Sequence, residues 1–365
     1  MRKNILHLCV NFGDSKFYGN LFKLLEDHYQ TVVVSPFRSE SQVQNANKWC
    51  DNTYILHKKI IFNIFDRFLQ KRKSRKYLDY VKSCTNDTEK VDLIHAHSLY
   101  SDGSVAYKLW TKKKIKYVVT VRNTDINIFW KWFFWRRQLG RNIITNAQSV
   151  YVPSESYRKI ITTLFFDARE KIVVIPNGVE EQFFEHSLNL RKKPQRNLLF
   201  VGEFTRNKNI LKLINLLSKN RNWHLDVIGF GKLQRQVEKR SHRLENVRFH
   251  GYVSDTYQKI QMIDDADIIV VPSKTELFGI AFAESIVRGR PIVGTIGQGL
   301  DGFFGDRPVG VFLPKLDMLQ LYDALDTIHS NYSFYQQNSI YARNLFQWPN
   351  IVAMYKVEYE NVCQL

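Results

Sequence analysis

The chain has 365 residues, 44% of them hydrophobic and 14% aromatic, which is enough to build cores for about two domains and excludes a disordered chain. Lys and Arg number 53 against 35 Asp and Glu, a formal net charge of +18 that asks for an explanation. The four cysteines, Cys9, Cys50, Cys84 and Cys363, are too scattered for a CxxC metal pair or a disulfide framework, and read as reduced thiols of a cytosolic protein.

The apolar run Ile5–Val10 is short, is broken by His7 and ends at Asn11-Phe12-Gly13-Asp14 without a small-residue cleavage site. It reads as a first buried strand rather than a leader. Further strands are expected at Thr31–Val34, Asp92–His95, Tyr117–Val121, Ser149–Val152 and Ile172–Ile175. Segments with helical spacing, such as Leu21–His28 and Val105–Lys112, lie between them. After Pro176-Asn177-Gly178-Val179 the periodicity lapses, and 181–196, with its basic run, reads as a linker. Alternation resumes with strands at Leu198–Val201, Leu225–Ile228, Val247–Phe249, Ile269–Val271 and Pro291–Val293, and helices over 209–218, 231–242, 279–288 and 317–329. Strand–helix alternation of this kind predicts an α/β protein of two doubly wound parallel-sheet domains, 1–180 and 197–345. Large apolar groups spaced by three to four residues predict a closing amphipathic helix over 346–365. No run of about 18 apolar residues predicts a membrane span.

The charge is concentrated. Residues 51–150 hold 20 basic and 8 acidic side chains, net +12, and residues 191–250 hold 15 and 4, net +11. The first block contains two segments that interleave aromatics with cations, 60–76 and 126–137. Basic, aromatic amphipathic helices there would suit an anionic membrane surface; alternatively their aromatic faces pack on the sheet and the cations are solvated. Single-stranded nucleic acid is the competing partner for such composition, but no recognition motif accompanies it.

The most informative segment runs from Ile269 to Val293. A buried strand leads through Pro272-Ser273 and Glu276 to a helix beginning near Phe278-Gly279, with Glu284 two turns along it. Ligands of parallel sheets sit at this carboxyl end of the strands, and a helix N-terminus offers free amides to a phosphate. Alone, the two glutamates could equally be solvated acids. Asp264-Asp265-Ala266-Asp267 has the spacing of a metal motif but precedes a strand at its amino end, so it is assigned to a helix end.

With Gly289, Pro291 and Val293, these residues resemble the E-x7-E motif of retaining family 4 glycosyltransferases of the GT-B fold, which have two Rossmann-like domains with a cleft between them. Ser285 replaces the usual Ala, and Ile292 the first Val. Four further stretches resemble family motifs in the family's order: Ile175–Val179, Val201-Gly202 with Lys208-Asn209, Val227–Gly231, and Val247–Val253. The resemblance implies a nucleotide-sugar donor in the second domain. It implies that Glu284 holds the ribose diol, that Glu276 faces the donor sugar and that Phe278, Gly279 and Ile280 hold sugar and phosphate. Lys208 would lie on the diphosphate, with Gly229, Gly231 and Val253 lining the donor site. Where the family has Arg, Glu203 stands; Arg206 either supplies the missing charge or is solvated. Gly297-Gln298-Gly299-Leu300-Asp301 also departs from the family pattern by lacking a Glu.

The acceptor, a glycan or lipid-linked sugar, falls by the same resemblance to the first domain. Gly13 matches a reduced Gly-rich loop on the donor side, and His97, in Ile94-His95-Ala96-His97, faces the cleft. Arg122 is read as a phosphate contact. Asp125 either binds acceptor hydroxyls or caps the next helix. No third ligand is spaced to join His95 and His97, so no metal and no other cofactor is expected. The resemblance therefore implies a metal-independent enzyme of cell-surface polysaccharide synthesis, cytoplasmic and peripheral at the inner face of the membrane. An epimerase or phosphorylase on the same fold is the nearest alternative, and a basic nucleic-acid binder the alternative of another class.

Overall fold

The computed structural model of the chain describes residues 2–85, 91–185 and 187–364. It divides into two compact units. The first comprises Met1–Val152, Arg158–Ile175 and Ile351–Leu365; the second comprises Pro153–Tyr157 and Pro176–Asn350. Each is built on one parallel sheet.

In the first unit the strands are β1 (Asn4–Leu8), β2 (Gln30–Phe37), β3 (Ile55–Ile60), β4 (Leu93–Ala96), β5 (Tyr117–Thr120), β6 (Val150–Val152) and β7 (Ile172–Val174), in the order β3-β2-β1-β4-β5-β6-β7. The central strands are apolar on both faces because helices cover both, so they read in the sequence as nearly continuous hydrophobic runs. β3 has no such run. It is a largely exposed edge strand carrying Lys58 and Lys59, side chains that keep an edge from pairing with another chain. This is why the sequence pattern passes over it.

The second sheet comprises β8 (Asn197–Val201), β9 (His224–Ile228), β10 (Val247–Gly251), β11 (Ile268–Val270), β12 (Ile292–Thr295) and β13 (Gly310–Leu313), in the order β10-β9-β8-β11-β12-β13. Both sheets wind outward from their first strand, then cross over and wind the other way. The crossovers lie between β1 and β4 and between β8 and β11, and such a reversal opens a crevice at the carboxyl ends of the strands.

The stretch expected as a linker is fastened to the second unit. Arg288, fully buried, pairs with Asp264 at 2.6 Å and donates to the carbonyls of Phe183 and Ser187. Arg290 donates to the carbonyl of Asn189, and Asp267 accepts from the backbone amides of Gln195 and Asn197. The Asp264–Asp267 acids therefore end the helix Thr256–Asp265 and tie down the chain entering β8. His186 lies outside the described residues.

The closing helix spans Trp348–Gln364, with Leu365 outside the described residues. From Ile351 it belongs to the first unit, where Tyr355 and Tyr359 are buried.

The segments 60–76 and 126–137 are not the amphipathic α-helices expected. The first ends β3, makes a 3₁₀ turn over Ile64–Arg67 and enters the helix Gln70–Cys84; the turn is closed by a capping box between Asn63 and Asp66. The second is a π-helical stretch, Asp125–Trp130, followed by a 3₁₀ turn, Phe134–Arg136. Aromatic and β-branched residues are weak helix formers, and a local cap competes with helix propagation.

Candidate active site

The second unit holds a cavity of about 460 Å³ at the carboxyl ends of β8, β9, β10 and β11, the switch point of its sheet. Each loop contributes a wall. Gly202, Glu203 and Lys208 follow β8; Gly229 and Phe230 follow β9; Tyr252 and Val253 follow β10; Glu276 and Gly279 follow β11. Gly229 has φ +143°, and a Cβ there would come 1.9 Å from the Gly202 carbonyl, so only glycine lets these two loops approach. Gly279, at φ +83°, starts the helix Ile280–Val287, whose first residues line the cavity with the positive end of their dipole.

Two ion pairs stand in this cavity. Lys208 Nζ binds Glu276, whose carboxylate also accepts from Ser273 Oγ at 3.3 Å. Lys259 Nζ donates to Glu284 at 2.6 Å. Burial raises the Glu284 carboxyl above the ordinary range, and Lys259 opposes that rise. The Glu276 backbone is held from both sides: its amide donates to Gln298 Oε1 at 2.9 Å, and its carbonyl accepts from Gly299 N at 2.9 Å. Asn207 receives the Thr275 amide and hydroxyl on Oδ1 and donates Nδ2 to the Thr275 carbonyl. The loop lacking the family's Glu thus positions the Glu276 backbone.

Of the residues expected in the donor site, Glu276, Lys208, Glu284, Gly279, Ile280, Gly229 and Val253 line this one cavity. Phe278 does not; it is buried in the unit's core against Phe346. Gly231, at φ +146°, packs on the Phe204 backbone, and Arg206 is exposed and outside the lining. Sequence reasoning missed Lys259, Asn207 and Gln298. Asn207 adjoins the Lys208 motif; Lys259 and Gln298 carry no local signal and are placed by the tertiary fold.

Gly13 belongs to the first unit. A Cβ on it would meet the Gln42 backbone oxygen at 2.5 Å, so glycine lets the chain pack closely on the helix Glu40–Trp49. Asp125 neither caps a helix nor faces outward. It is buried, and its carboxylate accepts from the amides of Leu99, Tyr100 and Arg122. Arg122 lies over the rings of Phe17 and Tyr18 and donates Nε to the His97 carbonyl, so its charge is engaged internally.

His97 is fully buried rather than lining a cleft. It stacks on His95, ring centroids 3.8 Å apart, and bonds His7, the third imidazole that the sequence pattern did not supply. Parallel pairing of β1 with β4 sets His7 opposite His95. One ring nitrogen from each of the three lies within 4.8 Å of the others, and among the described residues no other group of His, Cys, Asp and Glu converges so closely. His95 is further bound to Tyr359 and Thr120, and burial lowers the basicity of all three rings. His7 Nδ1 meets His97 Nε2 at 3.0 Å, while His7 Nε2 and His97 Nδ1 are buried without a hydrogen-bond partner.

Comparison with known proteins agrees with this architecture. Residues 18–183 match the model of Glycosyltransferase Family 4, and residues 181–345 that of Glycosyl transferases group 1. An uncharacterized glycosyltransferase of Methanocaldococcus jannaschii is 26% identical over 239 residues, 58% of this chain and 60% of that one, so the match spans under two thirds of that relative. An uncharacterized 41.2 kDa protein from a cps region of Klebsiella pneumoniae is 24% identical over 98% of this chain and 99% of its own. Anabaena HepE, solved in complex with UDP, superposes with a TM-score of 0.71 at 14% identity, covering 99% of this chain and all of that one. With two glycosyltransferase domain models matching in turn from residue 18 to 345 over two doubly wound units, the chain has the GT-B fold, and each half is similar to a glycosyltransferase domain.

Proposed function

We propose that the chain is a retaining glycosyltransferase that takes a sugar from a nucleotide-sugar and passes it to a glycan or lipid-linked acceptor of cell-surface polysaccharide synthesis. The observation that carries the reading is the pairing, in one cavity at the switch point, of Lys208 with Glu276 beside Glu284 and the start of a helix. Lys208 and the amides of Gly279 to Ala281 offer positive charge where the diphosphate leaves, and they are preorganised before the glycosidic bond breaks. When the diphosphate binds Lys208, Glu276 is released to the sugar hydroxyls, and Glu284, held by Lys259, takes the ribose. The first unit takes the acceptor in this reading. The UDP bound by HepE supports a nucleotide donor, and the full-length likeness to a protein of a cps region supports the pathway.

The test begins with nucleotide-sugars screened for thermal stabilisation, since a ligand of the folded state raises the melting temperature. With the donor found, Lys208→Ala and Glu276→Ala should each lower transfer by about a hundredfold or more while circular dichroism is unchanged. Transfer should persist in EDTA, and the product should keep the donor's anomeric configuration by NMR. Full activity in either variant, loss in EDTA or an inverted product would each refute its part of the reading.

A further inference from the structure

The segment Pro153–Tyr157 carries the chain from β6 into the helix Glu155–Leu164. Its neighbours Val152 and Arg158 belong to the first unit, while the segment itself packs within the second. Two buried hydroxyls fasten it there. Ser154 Oγ donates to the Leu277 carbonyl at 2.7 Å, and Ser156 Oγ donates to the Gly299 carbonyl at 2.7 Å. A serine hydroxyl has one proton to give. Ser154 Oγ also accepts the Tyr157 amide at 3.3 Å, a cap on the helix start that fixes the direction of that proton.

Both receiving carbonyls adjoin Glu276. Leu277 follows it in the loop after β11. Gly299 stands in the loop after β12 and donates its amide to the Glu276 carbonyl; a Cβ on it would lie 3.1 Å from Glu276 Cγ, so its backbone rests against that side chain. With Gln298 Oε1 on the Glu276 amide, the residue is held through its own backbone and both neighbouring backbones.

We propose that Ser154 and Ser156 are positioning residues that aim the Glu276 carboxylate at the donor sugar, an inference that rests on the donor reading above. Loops are the more mobile parts of a fold, yet a group that meets a reacting substrate tolerates little displacement, and a misplacement of about 1 Å can cost a hundredfold in rate. The two hydroxyls clamp the loops after β11 and β12 to one helix start, which keeps them in register with each other. Neither serine lines the cavity, so each acts on the carboxylate through the loop backbone.

The nucleotide-sugar that best stabilises the chain in a screen of UDP-, GDP-, ADP- and dTDP-hexoses is titrated into the full chain by calorimetry, as is its bare nucleoside diphosphate. Ser154→Ala/Ser156→Ala should weaken binding of the nucleotide-sugar about tenfold and of the diphosphate less than about twofold, because only the sugar calls on Glu276. A merely structural loss would weaken both alike and overturn the proposal. Hydrogen exchange of the unliganded variant should be faster at the Glu276 and Gly299 amides and unchanged in β8. Ser156→Ala alone serves for both measurements should the double variant fail to fold. Serine variants that bind the nucleotide-sugar as the unaltered chain does, while Glu276→Ala weakens it, would overturn the positioning role and leave the donor reading standing. Stabilisation by none of these compounds would refute the donor reading, and the positioning role with it.

Discussion

His7 looks in the sequence like an interruption of an apolar strand, and the fold turns it into a member of a buried stack with His95 and His97. Burial pushes the His7 pKa down from its ordinary value of about 6.5 to about 3, so the folded chain refuses a proton that the unfolded chain takes up below about 6.5. Stability contributed by keeping His7 neutral is therefore lost as the pH falls from about 6.5 towards about 3. The rings facing it are His95, His97, Phe22 and Tyr359, with the Arg122 cation beyond disfavouring a second charge at the other two histidines. Asp102 and Asp125 shift upward by burial and act in the opposite direction, but equally in a variant that keeps them. His7→Gln cannot titrate. Urea unfolding of both proteins from pH 7.5 to 5 should show the stability difference moving in the variant's favour by about 1.4 kcal/mol per unit below about pH 6.5. Parallel slopes would show that His7 already carries its proton in the fold. The same residue marks a limit of sequence reading. His95-Ala96-His97 is visible as a pair, but the third ring comes from strand pairing across 88 residues of chain, a register that no local spacing reveals.

Among the elements, the helix Ile280–Val287 shows how one segment serves two ends. Its start faces the cavity; beyond its end, Arg288 and Arg290 hold the chain between Phe183 and Asn189. Arg288 is fully buried, so its charge depends on Asp264 and two carbonyls for partners. Arg288→Met leaves Asp264 unanswered and should destabilise the second unit by about 3–5 kcal/mol, read by urea unfolding. A loss under about 1 kcal/mol would mean that the strap is dispensable. Legibility differed between elements for physical reasons. Strands buried on both faces, such as β4, β5 and β8, announce themselves as apolar runs, whereas β3 and β13 at the sheet edges do not. The Glu276–Glu284 segment was legible because strand, loop and helix are contiguous there. Lys259 was not, because it reaches Glu284 from a different helix. The basic aromatic segments were legible in composition and misread in conformation, since amphipathic spacing does not register the Asn63–Asp66 capping box that opens a 3₁₀ turn there.

At the scale of the whole molecule, the first unit is assembled from distant parts of the sequence. The helix residues from Ile351 onward close over His95 through Tyr359, whose hydroxyl meets His95 Nδ1 at 2.6 Å, and through Tyr355, while the second unit is nearly continuous in sequence. Removing residues 351–365 should therefore strip hydrogen-exchange protection from β1, β4 and β5 and spare β8, β9 and β11. Equal loss in both sheets, or none, would show that the helix does not belong energetically to the first unit. Basic charge is concentrated in one block of each unit, net +12 over 51–150 with the exposed aromatic turns and net +11 over 191–250 around Lys208, against a net −5 in the rest of the chain. The discontinuity also has a consequence for synthesis. On the ribosome, residues 1–175 emerge first yet wait for their closing helix, while the sheet of the second unit already has every strand it needs. The unit begun first is finished last, and until then the His95 ring stands uncovered on the side that Tyr355 and Tyr359 will occupy, a face for which a chaperone rather than water is the better temporary neighbour.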